Sequence, residues 1–341
     1  MTTTTEVKAL TKKDFQTDQA VRWCPGCGDY AILTAVQNTM PKLGKKKEDV
    51  VFISGIGCSS RFPYYMNTFG FHTIHGRAPA IATGVKVANP HLDVWVISGD
   101  GDSYSIGGNH FIHCLRRNVD LKYIIFNNEI YGLTKGQYSP TSKEGLVTKS
   151  TPYGAVDRPF NPASLALGAG ATFYARVADT SPKEMGVIFE QAAVHKGTAL
   201  VEVLQNCVIF NDDVHAPITD RETREDRQLK LEAGKPMLFG KDNSKGIMLD
   251  GMTPKVVTIG ENGVTINDIL VHNPSDPNPT VAFMLAQMTL ANGFPVPMGV
   301  LRSVLLPTYE HKVEEQIDGV KKSKKADLQE LLTGKNTWKV A

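Results

Sequence analysis

No apolar run in the sequence approaches the ~18 residues that a membrane-crossing helix requires, so a helical membrane protein is not expected. The first residues, MTTTTEVKALTKKDFQTDQ, likewise lack the apolar core of a secretory signal, and a cytoplasmic protein is the expectation. Charge of one sign is lacking too. With 37 Lys and Arg against 35 Asp and Glu the net charge is +2, which gives no case for a nucleic acid or an anionic membrane surface as partner. Internal repeats are absent. Cysteine is scarce and odd in number: five thiols without a secretion signal argue against a disulfide framework and point to metal or redox chemistry. What the chain does have is bulk. Its 341 residues at 41% hydrophobic composition can bury a large core, as one big domain with an extension or as two domains.

The stretch from Trp95 to Gln137 reads as strand, turn, helix, strand, turn. Val94 to Ile97 form an apolar β-branched run that stops at Ser98-Gly99-Asp100-Gly101, and Tyr123 to Phe126 form a second that stops at Asn127-Asn128. Ligands of a parallel sheet gather outside the carboxyl ends of its strands, so Asp100 and Asn128 are expected in one crevice. A carboxylate, a side-chain amide and a turn carbonyl such as that of Ile130 suit Mg2+, while Gly99 and Gly101 let the backbone approach a pyrophosphate. Gly-Asp-Gly alone marks only a turn. Followed one crossover later by Asn-Asn, with an apolar strand before each, it resembles the thiamine diphosphate binding motif.

The cysteines fall in a pattern. Cys24-Pro25-Gly26-Cys27 leaves open a zinc half-site, a redox dithiol or an iron-sulfur half-site; the thioredoxin-like dithiol fits least, because the upstream sequence is polar and a helix over 30–40 follows. Cys58 follows the strand DVVFIS in a glycine-rich loop, and Cys207 follows the strand 198–204. Cys114 lies inside a helical run and reads as core. Four thiolates without matching His pairs fit zinc or a 4Fe-4S cluster, and their placement in distant loops of the sheet edge that holds the coenzyme turns favours a redox cluster.

The remaining alternation predicts helices over 80–88, 162–167 and 182–195 and a strand over 171–177, an α/β layered sheet. Residues 134–153 read as a surface loop or lid. Beyond Cys207 strand signals are weak. A charged helix is expected over 219–233, an amphipathic one near 280–290, and an apolar stripe of Val313, Ile317, Val320, Leu328, Leu331 and Leu332 in a charged tail. The basic run 321–325 reads as the solvated face of a packing extension, or as a docking patch for an acidic electron carrier.

Taken together, WCPGCGDYAIL, GIGCSSR, HGRAPAIATGVKVANP, ISGDGDSYSIGGNH, FNNEIYGLTKGQ and a late NC resemble the β subunits of 2-oxoacid:ferredoxin oxidoreductases, most of all the 2-oxoglutarate branch. The likeness covers about residues 20–210. It implies a mostly parallel sheet with helices on both faces, binding thiamine diphosphate, Mg2+ and one 4Fe-4S cluster. The cluster ligands would be Cys24, Cys27, Cys58 and Cys207, and the Mg2+ ligands Asp100, Asn128 and the Ile130 carbonyl. Gly57, Ser59, His75, Gly99, Gly101, Asp102, Gly132, Leu133 and Thr134 would complete the coenzyme's surroundings. The implied reaction is oxidative decarboxylation of a 2-oxoacid with coenzyme A, 2-oxoglutarate giving succinyl-CoA and CO2, with electrons passing to ferredoxin, and the reverse carboxylation uses the same site. An α subunit carrying the pyrimidine-binding domain and the coenzyme-activating glutamate would complete an α2β2 assembly, and the isolated chain would be inactive. Three segments follow: an arm over 1–19, the cofactor-binding domain over 20–210, and an extension over 211–341 that packs against a partner or subunit.

Catalytic candidates are Arg61 and Lys135, in loops at the crevice, to pair with substrate carboxylates or to contact the pyrophosphate, and His75, beside Arg77 at a helix start, to hydrogen-bond the coenzyme or an intermediate. The plainer roles are surface cations and a capping histidine. Other readings of the whole are the same chemistry on pyruvate or another 2-oxoacid, a non-oxidative thiamine-dependent decarboxylase or carboligase, and a zinc-stabilised scaffold.

Overall fold

The computed structural model describes residues 10–338 and 340. Residues 1–9 of the expected arm lie outside the described residues; from Leu10 onward the arm packs on the body, with Phe15 fully buried.

Eight strands form the central sheet: β1 Val50–Ser54, β2 Phe69–His72, β3 Asp93–Gly99, β4 Lys122–Asn127, β5 Phe173–Ala178, β6 Ala199–Leu204, β7 Gln228–Lys230 and β8 Val296–Ser303. Their spatial order is β2-β1-β3-β4-β6-β5-β8-β7. The first six run parallel, and β8 joins β5 antiparallel with β7 alongside it. The parallel strands β1, β4, β5 and β6 are buried at every residue, as strands covered on both faces must be. Alternate side chains feed two cores. Phe52, Trp95, Phe126 and Val201 meet the helices α1 (Asp29–Thr39) and α6 (Pro182–Val194); Val51, Val96, Tyr123 and Leu200 meet α2 (Ala78–Ala88) and α4 (Gly108–Arg117). Two short helices, α3 (Asp100–Tyr104) and α5 (Pro162–Gly168), complete the set that frames the sheet, α5 being capped by the Asn161 side chain, which accepts from Ser164 N at 3.0 Å.

Register places the site. Ser54 pairs with Ile97, Gly99 with Phe126, and Asn127 with Leu204, so β1, β3, β4 and β6 all end at one edge. The loops that leave that edge carry Cys58, Asp100, Asn128 and Cys207.

The region past residue 210 differs from its sequence reading. The charged helix expected over 219–233 shrinks to Arg224–Arg227, because Gln228–Lys230 is drawn into the sheet as β7 beside Val296–Met298. The segment 211–341 is built into the main sheet through β7 and β8, and it adds an antiparallel sheet of Leu238–Phe239, Lys245–Asp250 and Thr253–Thr258. The amphipathic helix near 280–290 is present as Thr280–Ala286, with Ala282, Leu285 and Ala286 buried. In the tail the apolar stripe is not covered by the described residues: Ile317, Val320, Leu328, Leu331 and Leu332 are exposed on the helices Tyr309–Ser323 and Leu328–Thr333. Among the described residues no helix is long and apolar enough to cross a membrane.

Candidate active site

Asp100 opens α3 directly after β3 and is buried. Its Oδ2 accepts the hydroxyls of Ser139 and Thr141, each at 2.6 Å. Burial pushes this carboxyl up to about 6, against the pull of the two hydroxyls and of the backbone N–H groups at the helix start. A buried carboxylate that among the described residues meets hydroxyls and backbone N–H groups but no cation suits a bound cation, which would remove most of that penalty.

Asn128 stands opposite. Its Oδ1 accepts Ile130 N at 3.2 Å and its Nδ2 donates to Gln205 Oε1 at 2.8 Å, so the oxygen is held on the side of the turn. Glu129 between them sits at φ 54, a left-handed conformation steadied by its N–H donating to Asn127 Oδ1 at 3.3 Å. The residues expected around a coenzyme, from Gly57 and Ser59 through Asp100 and Asn128 to Gly132, Leu133 and Thr134, line one cleft, together with His75 and Asp102.

Asp102 is engaged by the protein itself. Oδ1 accepts Gly76 N at 2.7 Å and Ile56 N at 3.2 Å and meets His75 Nδ1 in a short contact, while Oδ2 accepts Ser98 Oγ at 2.5 Å. It therefore pins the Gly55–Gly57 loop and the His75–Gly76 turn to the start of α3, and it orients His75 so that Nε2 is the ring nitrogen left for the cleft. The fit is tight enough that a Cβ at Gly55 would lie 1.8 Å from Asp102 Oδ2. Gly101 is similarly demanded, since a Cβ there would meet the Tyr131 ring at 2.2 Å.

The cysteines converge beside this cleft. A Cβ at Gly132 would lie 3.5 Å from Cys207 Sγ and 3.6 Å from Cys58 Sγ, so both thiols face the same glycine. Burial first, then the charges of Asp29, Cys207 and Cys24, push the Cys58 thiol up to about 12. Burial, Asp29, Cys207 and Cys58 raise Cys27 as well. Cys27 and Cys58, whose ionisation burial and the neighbouring acid and thiols oppose, belong to a donor set that suits a positive centre, which an iron-sulfur cluster would supply. Among the described residues no three His, Cys, Asp or Glu side chains close on a single ion. Cys114 is separate, buried in α4 at 3.8 Å from Thr198 Oγ1.

Two sequence candidates fall elsewhere. Arg61 lines a second cleft with Arg22, His72 and Tyr64, which shares Ile56, Gly57 and Leu133 with the first. Lys135 is exposed in a tight turn at φ 77, closed by Lys135 N donating to Gly132 O at 3.0 Å and Gly136 N to Tyr131 O at 2.9 Å, and it lines neither cleft. Sequence reading missed Asp29, which lines the cleft with Oδ2 unpartnered among the described residues and is pushed up to about 7 by burial, and it missed Gln205, Ser139, Thr141 and Tyr131. The only sequence signal for Asp29 and Gln205 was adjacency to Cys27 and Cys207.

Comparison with known proteins gives the family. Residues 55–203 match the family model described as thiamine pyrophosphate enzyme, C-terminal TPP binding domain. The chain is 50% identical over 331 residues to 2-oxoglutarate oxidoreductase subunit KorB of Mycobacterium tuberculosis, covering 96% of this chain and 88% of that protein. It is 45% identical over 218 residues to 2-oxoacid:ferredoxin oxidoreductase 1, subunit beta, of Aeropyrum pernix, covering 64% and 67%. Among solved structures it resembles the 2-oxoglutarate:ferredoxin oxidoreductase from Magnetococcus marinus with 2-oxoglutarate, coenzyme A and succinyl-CoA bound, with a TM-score of 0.76, 33% identity, and coverage of 96% of this chain and 97% of that one.

Proposed function

The chain belongs to the β subunits of the 2-oxoacid:ferredoxin oxidoreductases, and on that premise we propose that it carries the coenzyme half of an enzyme converting 2-oxoglutarate and coenzyme A to succinyl-CoA and CO2, with electrons leaving through one 4Fe-4S cluster to ferredoxin. The observation that carries this reading is the shared edge: Asp100 and Asn128 in one cleft, with the Cys58 and Cys207 thiols facing Gly132 in its wall. Asp100, Asn128 and the Ile130 carbonyl are the proposed Mg2+ ligands, and Cys24, Cys27, Cys58 and Cys207 the proposed cluster ligands. Thiamine diphosphate, when bound, supplies the electron sink for the decarboxylation.

The chain's own residues do the rest. Ser139 and Thr141 favour the ionised form of Asp100. Gly99 leaves the backbone open to the diphosphate, while Gly101 makes room for the Tyr131 ring. His75, oriented by Asp102, holds a hydrogen bond at Nε2 toward the reacting end of the substrate. Arg61, rather than Lys135, is the cation assigned to a substrate carboxylate. With Arg22 and His72 in the adjoining cleft it supports a dicarboxylic substrate over pyruvate, which has no second carboxylate to place there. An α subunit supplies the pyrimidine-binding half and the activating glutamate in an α2β2 complex, and carboxylation of the acyl-CoA uses the same groups in reverse.

The test is the anaerobically purified complex of this chain with its α partner. It is expected to be brown and to reduce ferredoxin only when a 2-oxoacid and coenzyme A are both present, with 2-oxoglutarate preferred over pyruvate in a substrate panel. A colourless, zinc-loaded preparation active without ferredoxin would overturn the reading.

A further inference from the structure

Gln205 is fully buried between the two halves of the site, and its amide is used at both ends. Oε1 accepts Asn128 Nδ2 at 2.8 Å; Nε2 donates to Cys27 Sγ at 3.3 Å and to Asn206 O at 2.5 Å. The orientation is dictated. Ile130 N donates to Asn128 Oδ1, so the other end of the Asn128 amide is the NH2 group and requires an acceptor. That requirement turns Gln205 Oε1 toward Asn128 and hence Gln205 Nε2 toward the thiol. A backbone N–H in the proposed Mg2+ turn thus decides, through two amides, that a donor faces Cys27. The residue is also firmly placed, since Gln205 N donates to Asn127 O at 2.9 Å and a Cβ at Gly28, in the cysteine loop, would reach Gln205 Cγ at 3.0 Å.

We propose that Gln205 is a positioning residue coupling the two cofactor sites: its N–H···S bond raises the reduction potential of a cluster held by Cys27, and its carbonyl fixes the Asn128 amide for Mg2+. The inference rests on the cluster and Mg2+ assignments above. A proton donated to a ligand sulfur draws charge from it, which favours the reduced, more negative cluster. On the other side, an asparagine whose NH2 group is held presents its oxygen to a cation without rotational freedom, the usual work of an outer partner of a metal ligand. A residue that merely filled space would need neither polar end.

Two substitutions in the complete complex separate the arms. Gln205→Glu keeps an acceptor for Asn128 and removes the donor to Cys27; Gln205→Met removes both and keeps length and volume without adding charge. The cluster potential is read by an EPR-monitored redox titration. The Mg2+ concentration that half-saturates thiamine diphosphate binding is read by calorimetry. Both variants are expected to shift the potential negative, and only Gln205→Met to raise the Mg2+ requirement, by about tenfold. Because a carboxylate alone would lower the potential, the neutral Gln205→Met decides: a wild-type potential or a wild-type Mg2+ requirement in that variant overturns the proposal. Should Gln205→Met not assemble, the equally neutral Gln205→Leu is read by the same two measurements: a lowered potential with a raised Mg2+ requirement supports the proposal, and a wild-type value of either overturns it. A wild-type complex with no cluster signal or no Mg2+-dependent coenzyme binding overturns the underlying reading instead.

Discussion

Thr141 donates its hydroxyl to Asp100 across 2.6 Å although 41 positions separate them. The segment that carries it also sends Ser139 Oγ to the same carboxylate oxygen at 2.6 Å and Ser142 Oγ to Glu129 O at 2.5 Å, so residues 139–142 clamp the turn after β3 to the turn after β4. Thr141→Val keeps shape and removes that donor. A hydrogen bond to a charged group contributes about 1.5–3 kcal/mol. Its loss is expected to cost the fold about that much in denaturant unfolding and to lower the Mg2+ affinity of the assembled complex about tenfold or more; an unaltered Mg2+ titration would show that the clamp does not serve the cation.

His215 gives a pH dependence. Its Nε2 donates to Asn127 O at 2.9 Å at the base of the proposed Mg2+ turn, and burial pushes its pKa down to about 4. Between the unfolded value of 6.5 and about 4 the unfolded chain binds a proton that the folded chain does not, so stability falls as pH falls through that window and is fully present above it. The full loss is about 3 kcal/mol for this one group. His215→Gln retains an N–H donor but cannot protonate. Denaturant unfolding at pH 7 and pH 5 is expected to differ less in that variant than in wild type, and an identical pH slope would refute the assignment.

The cysteines divide into two kinds. Cys58→Ser is expected to abolish most bound iron and the brown colour. Cys114→Ser, remote in α4, is expected to keep the full iron content while losing about 1 kcal/mol of stability through its buried hydroxyl. Iron per chain and the unfolding midpoint, measured on both, check this. Wild-type iron in Cys58→Ser would remove that residue from the ligand set.

Much of the site was legible because its markers are backbone-driven. Apolar β-branched runs that stop at Gly-Asp-Gly and Asn-Asn announce strand ends, and strand ends of a parallel sheet share an edge, which the pairing of Gly99 with Phe126 and of Asn127 with Leu204 bears out. Gln205 and Thr141 were not legible, since each is a single polar residue whose partner arrives from a distant part of the chain, and Asp29 was not, since only the fold buries that lone acid in the cleft. Ser139-Pro140-Thr141-Ser142 has the composition of an exposed loop, and only the carboxylate it meets makes it an inner wall. Lys135 looked like a site cation from its position in the chain, but it is exposed in a left-handed turn and lines neither cleft. The charged run before Gln228 has helical spacing, yet an open sheet edge at β8 draws its end into a strand, and that edge is invisible until residues 296–303 are in place.

Glu202 supports the strand end from beneath. On β6 it accepts Arg176 Nε from the neighbouring strand at 2.7 Å, the Tyr174 hydroxyl in a short contact, and Asn127 Nδ2 at 2.7 Å. Burial opposes its ionisation, but Arg176, Tyr174 and Asn127 outweigh that and hold the carboxyl below its ordinary range. Removing one partner of such a buried pair leaves a naked charge, so Glu202→Leu is expected to lose about 3–5 kcal/mol in denaturant unfolding. The combined Arg176→Met and Glu202→Leu variant is expected to regain most of it, because neither charge then remains buried. Asn127 still loses its acceptor in the combined variant, which leaves its amide held only at Oδ1, by the Thr141 hydroxyl and Glu129 N, and loosens the Glu129 turn. Recovered stability with a raised Mg2+ requirement is the expected pair of results, whereas recovery of both would reduce Glu202 to a strut between β5 and β6.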